Sequence, residues 1–177
     1  MNIHEIIRNR RSVRKYAQCP IEPEKKQLLM DALRLAPTAC NFQPFKFIVI
    51  EDSESIKTMA QLCKSQSWIA QAPMIIIGCA IDKNAYKKMG NEDNSSDIDV
   101  TIALDHLTLA AVDLGLGTCW IGAFDKQAVR KFLNIPEDVN VTAIIPVGYP
   151  ETPDLNFPVD ESKRKTENEL FCQENWK

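Results

Sequence analysis

An α+β sandwich is the fold class this sequence predicts, and three observations carry that prediction. Short apolar runs of strand length, above all Met74 to Ile81 and Val139 to Tyr149, stand among longer stretches with helical spacing of their apolar residues. The strand-like and helix-like segments do not follow strict β-α-β alternation, so a mixed sheet packed against helices fits better than a parallel doubly wound one. The 177 residues, with 45% hydrophobic and 25% charged, have average globular composition and the length of one domain. A chain of that size buries roughly 70% of its unfolded surface and needs no disulfide or metal to hold it.

The elements follow in order. Asn2 to Asn9 reads as a short helix with Ile3, Ile6 and Ile7 on one face. Arg10 to Pro20 reads as extended. Ile21-Glu22-Pro23-Glu24 opens a second helix, because proline and acids suit a first turn. Its apolar stripe is Leu28, Leu29, Ala32, Leu33, Leu35 and Ala36, and Pro37 stops it. Thr38 to Phe45 is a polar, proline-punctuated loop, and Lys46 to Glu51 a strand. Ser53 caps a third helix that runs to Cys63, and Ser65 to Gln71 is a helical turn. Met74 to Ile81 is apolar throughout, which predicts a central strand. Asp82 to Asp99 is the stretch of low hydrophobicity and reads as a mobile loop or lid within a single domain of residues 1–177. Val100 to Leu116 is a long helix, apolar on most of its circumference, as a helix buried in a core or an interface is. Thr118 to Ile121 is a strand, Asp125 caps a helix to Leu133, and Val139 to Tyr149 is the last strand. The tail, residues 150–177, is polar and proline-rich up to Leu170 and Phe171.

Composition excludes several functions. With 21 basic and 24 acidic residues the net charge is −3, which argues against a general nucleic-acid binder. The longest apolar run, Ala72 to Ile81, is far short of the roughly 20 residues that cross a membrane. Met1 to Tyr16 lacks the apolar core of a signal peptide, so a cytoplasmic protein is expected. The six cysteines, Cys19, Cys40, Cys63, Cys79, Cys119 and Cys172, form no Cys-x-x-Cys pair and are expected as thiols. The two histidines, His4 and His106, lie in helical patterns, which argues against triad hydrolysis and against metal catalysis; no metal site is expected.

Four segments could carry chemistry. Met1 to Lys15 holds five bases, Arg8, Arg10, Arg11, Arg14 and Lys15, against one acid, Glu5: a local charge of +4 in an acidic chain. Arg10, Ser12 and Arg14 are spaced by two and share one face of an extended segment. Two guanidinium forks and a hydroxyl there suit a phosphate, although a solvated basic edge has the same spacing. Lys163-Arg164-Lys165 is a second basic cluster, which could converge on the same dianion or be a solvated charge run. Gly115-Leu116-Gly117-Thr118-Cys119-Trp120-Ile121-Gly122 does not match the Gly-x-Gly-x-x-Gly dinucleotide fingerprint. Gly115 and Gly117 suit helix C-caps, and Gly122 suits close backbone approach by a ligand. Thr38 to Pro44 is a loop dense in hydrogen-bonding groups.

Taken together, Arg10-Arg11-Ser12-Val13-Arg14, Ala36 to Pro44, Ala72-Pro73, Leu114 to Gly122 and the tail from Lys163 resemble the FMN-dependent nitroreductase family, in order and spacing, over nearly the whole chain. The resemblance implies a mixed, mostly antiparallel sheet flanked by helices, with a C-terminal tail exchanged between two subunits. It implies FMN as cofactor and NAD(P)H as co-substrate. It assigns Arg10, Arg11, Ser12 and Arg14 to the flavin phosphate, with Arg164 and Lys163 closing on it from the tail. It assigns Thr38, Ala39, Cys40 and Asn41 to a loop covering the flavin held mainly by the partner. Ile121, Gly122 and Ala123 lie beside the isoalloxazine, with the Gly122 N–H facing N5, and Gln66 touches the ribityl or pyrimidine part. No side chain is assigned as catalytic. The reaction implied is a ping-pong transfer from NAD(P)H to a small nitroaromatic or quinone-like acceptor. The implied partner is a second copy, embraced by the tail beyond Pro150, and the apolar helix Val100 to Leu116 points to the same homodimer. Ser162 stands where many relatives carry a base, and Cys40 where Ser or Thr is common. Two other readings stay open: a flavin-binding carrier or sensor without turnover, and a flavin-free thiol protein built on Cys40.

Overall fold

The computed structural model describes residues 1–152 and 159–176. The first helix, α1, spans Ile3–Asn9 and starts with a capping box, in which the Asn2 side chain accepts from the Glu5 N–H and Glu5 accepts from the Asn2 N–H. Ile6 is its buried residue; Ile3 and Ile7 are about half exposed, at 53% and 54%, so the predicted apolar face is only partly covered in one chain. Helix α2, Pro23–Arg34, has its proline at the first position, where no N–H is needed. Leu29 and Leu33 bury, whereas Leu28 and Leu35 face outward.

The sheet has strand order β1 (Phe45–Ile50), β2 (Met74–Ala80), β4 (Asn140–Gly148), β3 (Gly117–Thr118), with every neighbouring pair antiparallel. Strands β1, β2 and β4 match the predicted runs to within a residue or two. Every residue of β2 is buried, as its unbroken apolar run requires. Alternation divides that strand between two cores. Met74, Ile76 and Ala80 face helix α2 and helix α4 (Ser96–Asp113), where they meet Leu29, Leu33, Leu104 and Leu107. Ile75, Ile77 and Cys79 face the opposite side, against Ile56 and Met59 of α3 (Ser53–Leu62) and Val129 of α5 (Lys126–Phe132). Each such buried aliphatic side chain contributes roughly 1.5–3 kcal/mol. At Gly78 an added Cβ would lie 2.7 Å from Val100 and 2.8 Å from Leu104, so glycine lets α4 press onto the sheet.

Several boundaries differ from expectation. Helix α4 spans Ser96–Asp113, so it begins inside the segment predicted as a loop and ends before Leu116. Its start is hidden from the sequence because Ser95, Ser96 and Asp99 are polar yet buried, their groups bonded to one another and to Asp82. Gly115, at φ +74°, closes α4: its N–H donates to the Val112 carbonyl and the Leu116 N–H to Ala111, a Schellman end. Gly117 is no cap. It lies in β3 (Gly117–Thr118), where a Cβ would meet Val13 side-chain atoms from 2.6 Å. The predicted strand Thr118 to Ile121 is thus shifted, and Ile121 makes only a single bridge, to Ile144. The cap of α3 is Asp52, whose carboxylate accepts from Ser55 N–H, rather than Ser53. The tail contains a short helix, α6 (Glu167–Leu170). Residues 153–158 and 177 of the predicted tail lie outside the described residues. Among the described residues no helix is long and apolar enough to cross a membrane, and no His, Cys, Asp and Glu cluster could hold a metal ion.

Candidate functional site

The segment Arg10 to Tyr16 carries two opposed sets of side chains. Val13 and Tyr16 point inward, at 1% and 2% exposure, and pack with Ala72 and Trp68. The Tyr16 and Trp68 rings stack at 6.3 Å, and the Tyr16 hydroxyl donates to the carbonyls of Val13 and Pro146. The Val13 N–H donates to the Thr118 carbonyl at 2.9 Å, and Ser12 bridges Thr118 in parallel. With Val13 locked inward, Ser12 and Arg14 turn outward together. Burial thus fixes the chain, and alternation exposes the polar set.

That set meets the tail. Arg10, Arg11, Ser12, Arg14, Asp160, Lys163 and Arg164 line one cavity of about 560 Å³. Five bases stand there against one acid, a balance of +4. The Arg11 guanidinium also donates to the carbonyls of Arg8 and Arg10, which turns it back toward the end of α1. Burial, and then the neighbouring Arg10 and Arg164 guanidinium groups, hold the Arg11 pKa below its ordinary value. Like charges gathered this way repel one another, and a dianion among them reverses the sign of the interaction. Lys163 is paired with Asp160 at 3.0 Å, so its charge is partly matched within the tail. Ser162 donates to Asp160 as well, at 2.6 Å, and these bonds hold the Asp160 carboxyl below its usual range. Cys119 lies beneath this corner: burial pushes its thiol up, offset in part by Arg14 and by a hydrogen bond with Ser12.

From Thr118 the chain continues to Ile121, Gly122 and Ala123. Ile121 is buried, while Gly122 and Ala123 are exposed. A Cβ at Gly122 would meet nothing within 4 Å, so neither crowding nor a left-handed backbone requires glycine there. The Gln66 amide donates to the Ala123 carbonyl at 3.4 Å and to Cys63 at 2.9 Å, which brings Gln66 to the end of this strand.

The loop Thr38 to Gln43 is a separate group. It contains a 3₁₀ turn, Ala39–Asn41, and left-handed backbone at Cys40, Asn41 and Gln43, with φ of 52°, 55° and 49°. Non-glycine residues held this way cost of order 1 kcal/mol or more each and collect at functional segments. Cys40 and Asn41 are exposed, Thr38 and Ala39 half-buried. None of the six cysteines forms a disulfide among the described residues, and burial pushes the Cys63 and Cys79 thiols up to about 11, away from thiol chemistry.

Two contributors to the site were not legible in the sequence. Arg8, outside the alternating Arg10, Ser12 and Arg14 set, pairs with Glu161 at 3.1 Å and its carbonyl accepts from Val159 N–H, so it ties the tail to α1. Asp99 was placed in the loop, yet it is buried and accepts from the Ala39 N–H. Both join residues far apart in sequence, and no local pattern announces them.

Comparison with known proteins identifies the family. The family model described as "Nitroreductase family" matches residues 7–149. An FMN reductase [NAD(P)H] of Bacillus subtilis is 31% identical over 168 residues, covering 84% of this chain and 67% of that protein. A crystal structure of a nitroreductase family protein of Clostridium difficile 630 superimposes with a TM-score of 0.86 at 29% identity, over 99% of this chain and 100% of the other. One from Clostridium novyi NT gives 0.78 at 30% identity, over 93% and 89%. The family match runs from the end of α1, through the arginine segment and the loop after α2, to the end of β4, and the chain belongs to the nitroreductase family.

Proposed function

We propose that the protein is an FMN-dependent oxidoreductase that takes electrons from NAD(P)H and passes them to a small nitroaromatic or quinone-like acceptor by a ping-pong cycle. One observation carries the reading: Arg10, Ser12, Arg14 and Arg164 converge on one cavity from opposite ends of the sequence. Such a site suits a terminal phosphate, which FMN has, and the chain lacks a dinucleotide fingerprint. The likeness to an FMN reductase [NAD(P)H] supports the same cofactor and co-substrate. When bound, the flavin supplies the redox chemistry.

The residues divide the remaining work. Arg10, Ser12, Arg14 and Arg164 bind the phosphate; Arg11 and Lys163 add field, since their own groups are engaged elsewhere. From Thr118 to Gly122 the chain spans at most about 14 Å. Gly122 and Ala123 leave an open backbone there, with the Gly122 N–H as donor to N5 and Gln66 beside it. Thr38 to Asn41 cover the flavin of a partner subunit. A homodimer fits the exposure of Ile98, Phe42, Phe171 and Trp176 in the single chain. A cytoplasmic setting fits six cysteines that form no disulfide among the described residues.

The test is an absorption spectrum of the purified protein with NADH and with NADPH added anaerobically, and mass spectrometry of released cofactor. FMN whose visible bands bleach on addition is the expected result. FMN that neither nucleotide reduces would make the protein a carrier or sensor. FAD, or no flavin after FMN is supplied, would sink the reading. Sedimentation should give a dimer; a monomer retaining FMN would remove the partner's role.

A further inference from the structure

We infer that Asp99 is a positioning residue for the loop Thr38 to Gln43, and through it for the flavin and the nicotinamide co-substrate; the inference rests on the function proposed above. Asp99 is 2% exposed, in the first turns of α4. A buried carboxylate is costly unless its oxygens are matched by donors. Here one oxygen accepts from Ala39 N–H at 3.0 Å, across 60 residues of sequence, and the other from Ser95 Oγ at 2.7 Å. Asp99 is not used to cap its own helix, and neither is Ser95, whose hydroxyl goes to Asp99.

The loop has reason to need such a tie. Its own bonds close on itself: Asn41 N–H to the Thr38 carbonyl and Gln43 N–H to Thr38 Oγ1. Left-handed backbone at Cys40, Asn41 and Gln43 persists only where the surroundings fix it. The Ala39 bond fixes the start of that stretch to α4. The tie also continues outward. Ser95 N–H donates to the Tyr86 carbonyl at 3.0 Å, and Ser96 Oγ to Asp82 at 2.6 Å. Asp99 therefore joins the loop after α2 to the excursion from Asp82 to Ser95 into one mechanical unit.

The experiment compares wild-type, Asp99→Ala and Asp99→Asn as full-length proteins. Asparagine keeps an acceptor for Ala39 N–H and can donate to Ser95 Oγ, so it should stay within about twofold of wild-type in FMN affinity. Alanine should raise amide exchange across Ala39 to Gln43 and weaken FMN about tenfold, the scale of one lost hydrogen bond to a charged group. It should also shift the visible spectrum of the bound flavin and raise the KM for NAD(P)H more than it lowers kcat. A purely structural role would lower the melting temperature and leave spectrum and KM alone. Unchanged loop exchange in Asp99→Ala, or raised exchange with wild-type FMN affinity and KM, overturns the inference. Wild-type protein that binds no FMN overturns the proposed function and this inference with it, an outcome distinct from a wild-type that binds FMN and a variant that binds it equally well.

Discussion

The two ends of the Gly117 to Gly122 segment differ in what makes their glycines necessary. At Gly117 the requirement is internal, because a Cβ would meet three atoms of buried Val13, starting at 2.6 Å. Gly148, its partner across the strand pair, is similar, with Pro73 at 2.6 Å. At Gly122 the fold imposes nothing, since the space is open and the backbone ordinary. One end of the segment is glycine for packing; the other leaves room for something outside the chain. Glycines that look alike in sequence therefore divide into those that hold the arginine segment down and one that the proposed flavin would use.

Substitution can break or sharpen that contrast. Gly117→Ala should cost about 3 kcal/mol in urea denaturation, the upper end of overpacking, because Val13 is β-branched, buried and unable to yield. A loss under about 0.5 kcal/mol would mean that the packed end is not packed. Arg10→Ala and Arg14→Ala come next. Each removes charge-assisted bonds of roughly 1.5–3 kcal/mol, so FMN titration should show affinity about 10- to 150-fold weaker, with turnover per bound flavin little changed. Ser12→Ala, losing a neutral donor, should cost about 1 kcal/mol, or roughly fivefold. Wild-type affinity in all three would move the phosphate to another place. Arg8→Ala sits lower again: its exposed pair with Glu161 reaches at most about fivefold in FMN affinity, by loosening the tail that presents Arg164. An effect as large as that of Arg10→Ala would mean that net charge, and not geometry, sets binding. Gly122→Ala should change stability least, within about 0.5 kcal/mol, yet lower flavin affinity or turnover. A variant unchanged in all three measurements would leave the open end without a ligand.

Much of the fold was legible because it rests on periodicity. The unbroken run of β2 marks a strand covered on both faces, and Pro23 marks the start of α2. The alternation of Arg10, Ser12 and Arg14 against Val13 was readable for the same reason: one buried residue in extended chain fixes which side its neighbours take. What failed was local signal outvoted by distant contacts. Gly117 looks like a helix cap and is a packing site, because Val13 lies across from it. Leu28 and Leu35 look like core and face outward in the single chain.

The sequence by itself determined which runs form strands, which stretches form helices, and the two basic clusters that could share an anion. These depend on spacing along the chain, and spacing survives without coordinates. Only the tertiary structure decided that Lys163 and Arg164 reach the arginine segment, that Arg8 and Glu161 tie them there, and that Asp99 holds the loop at Ala39. Each joins residues separated by 60 positions or more. Nothing in a local pattern records which distant partner a charge will find; that is set by how the two layers of helices close over the sheet.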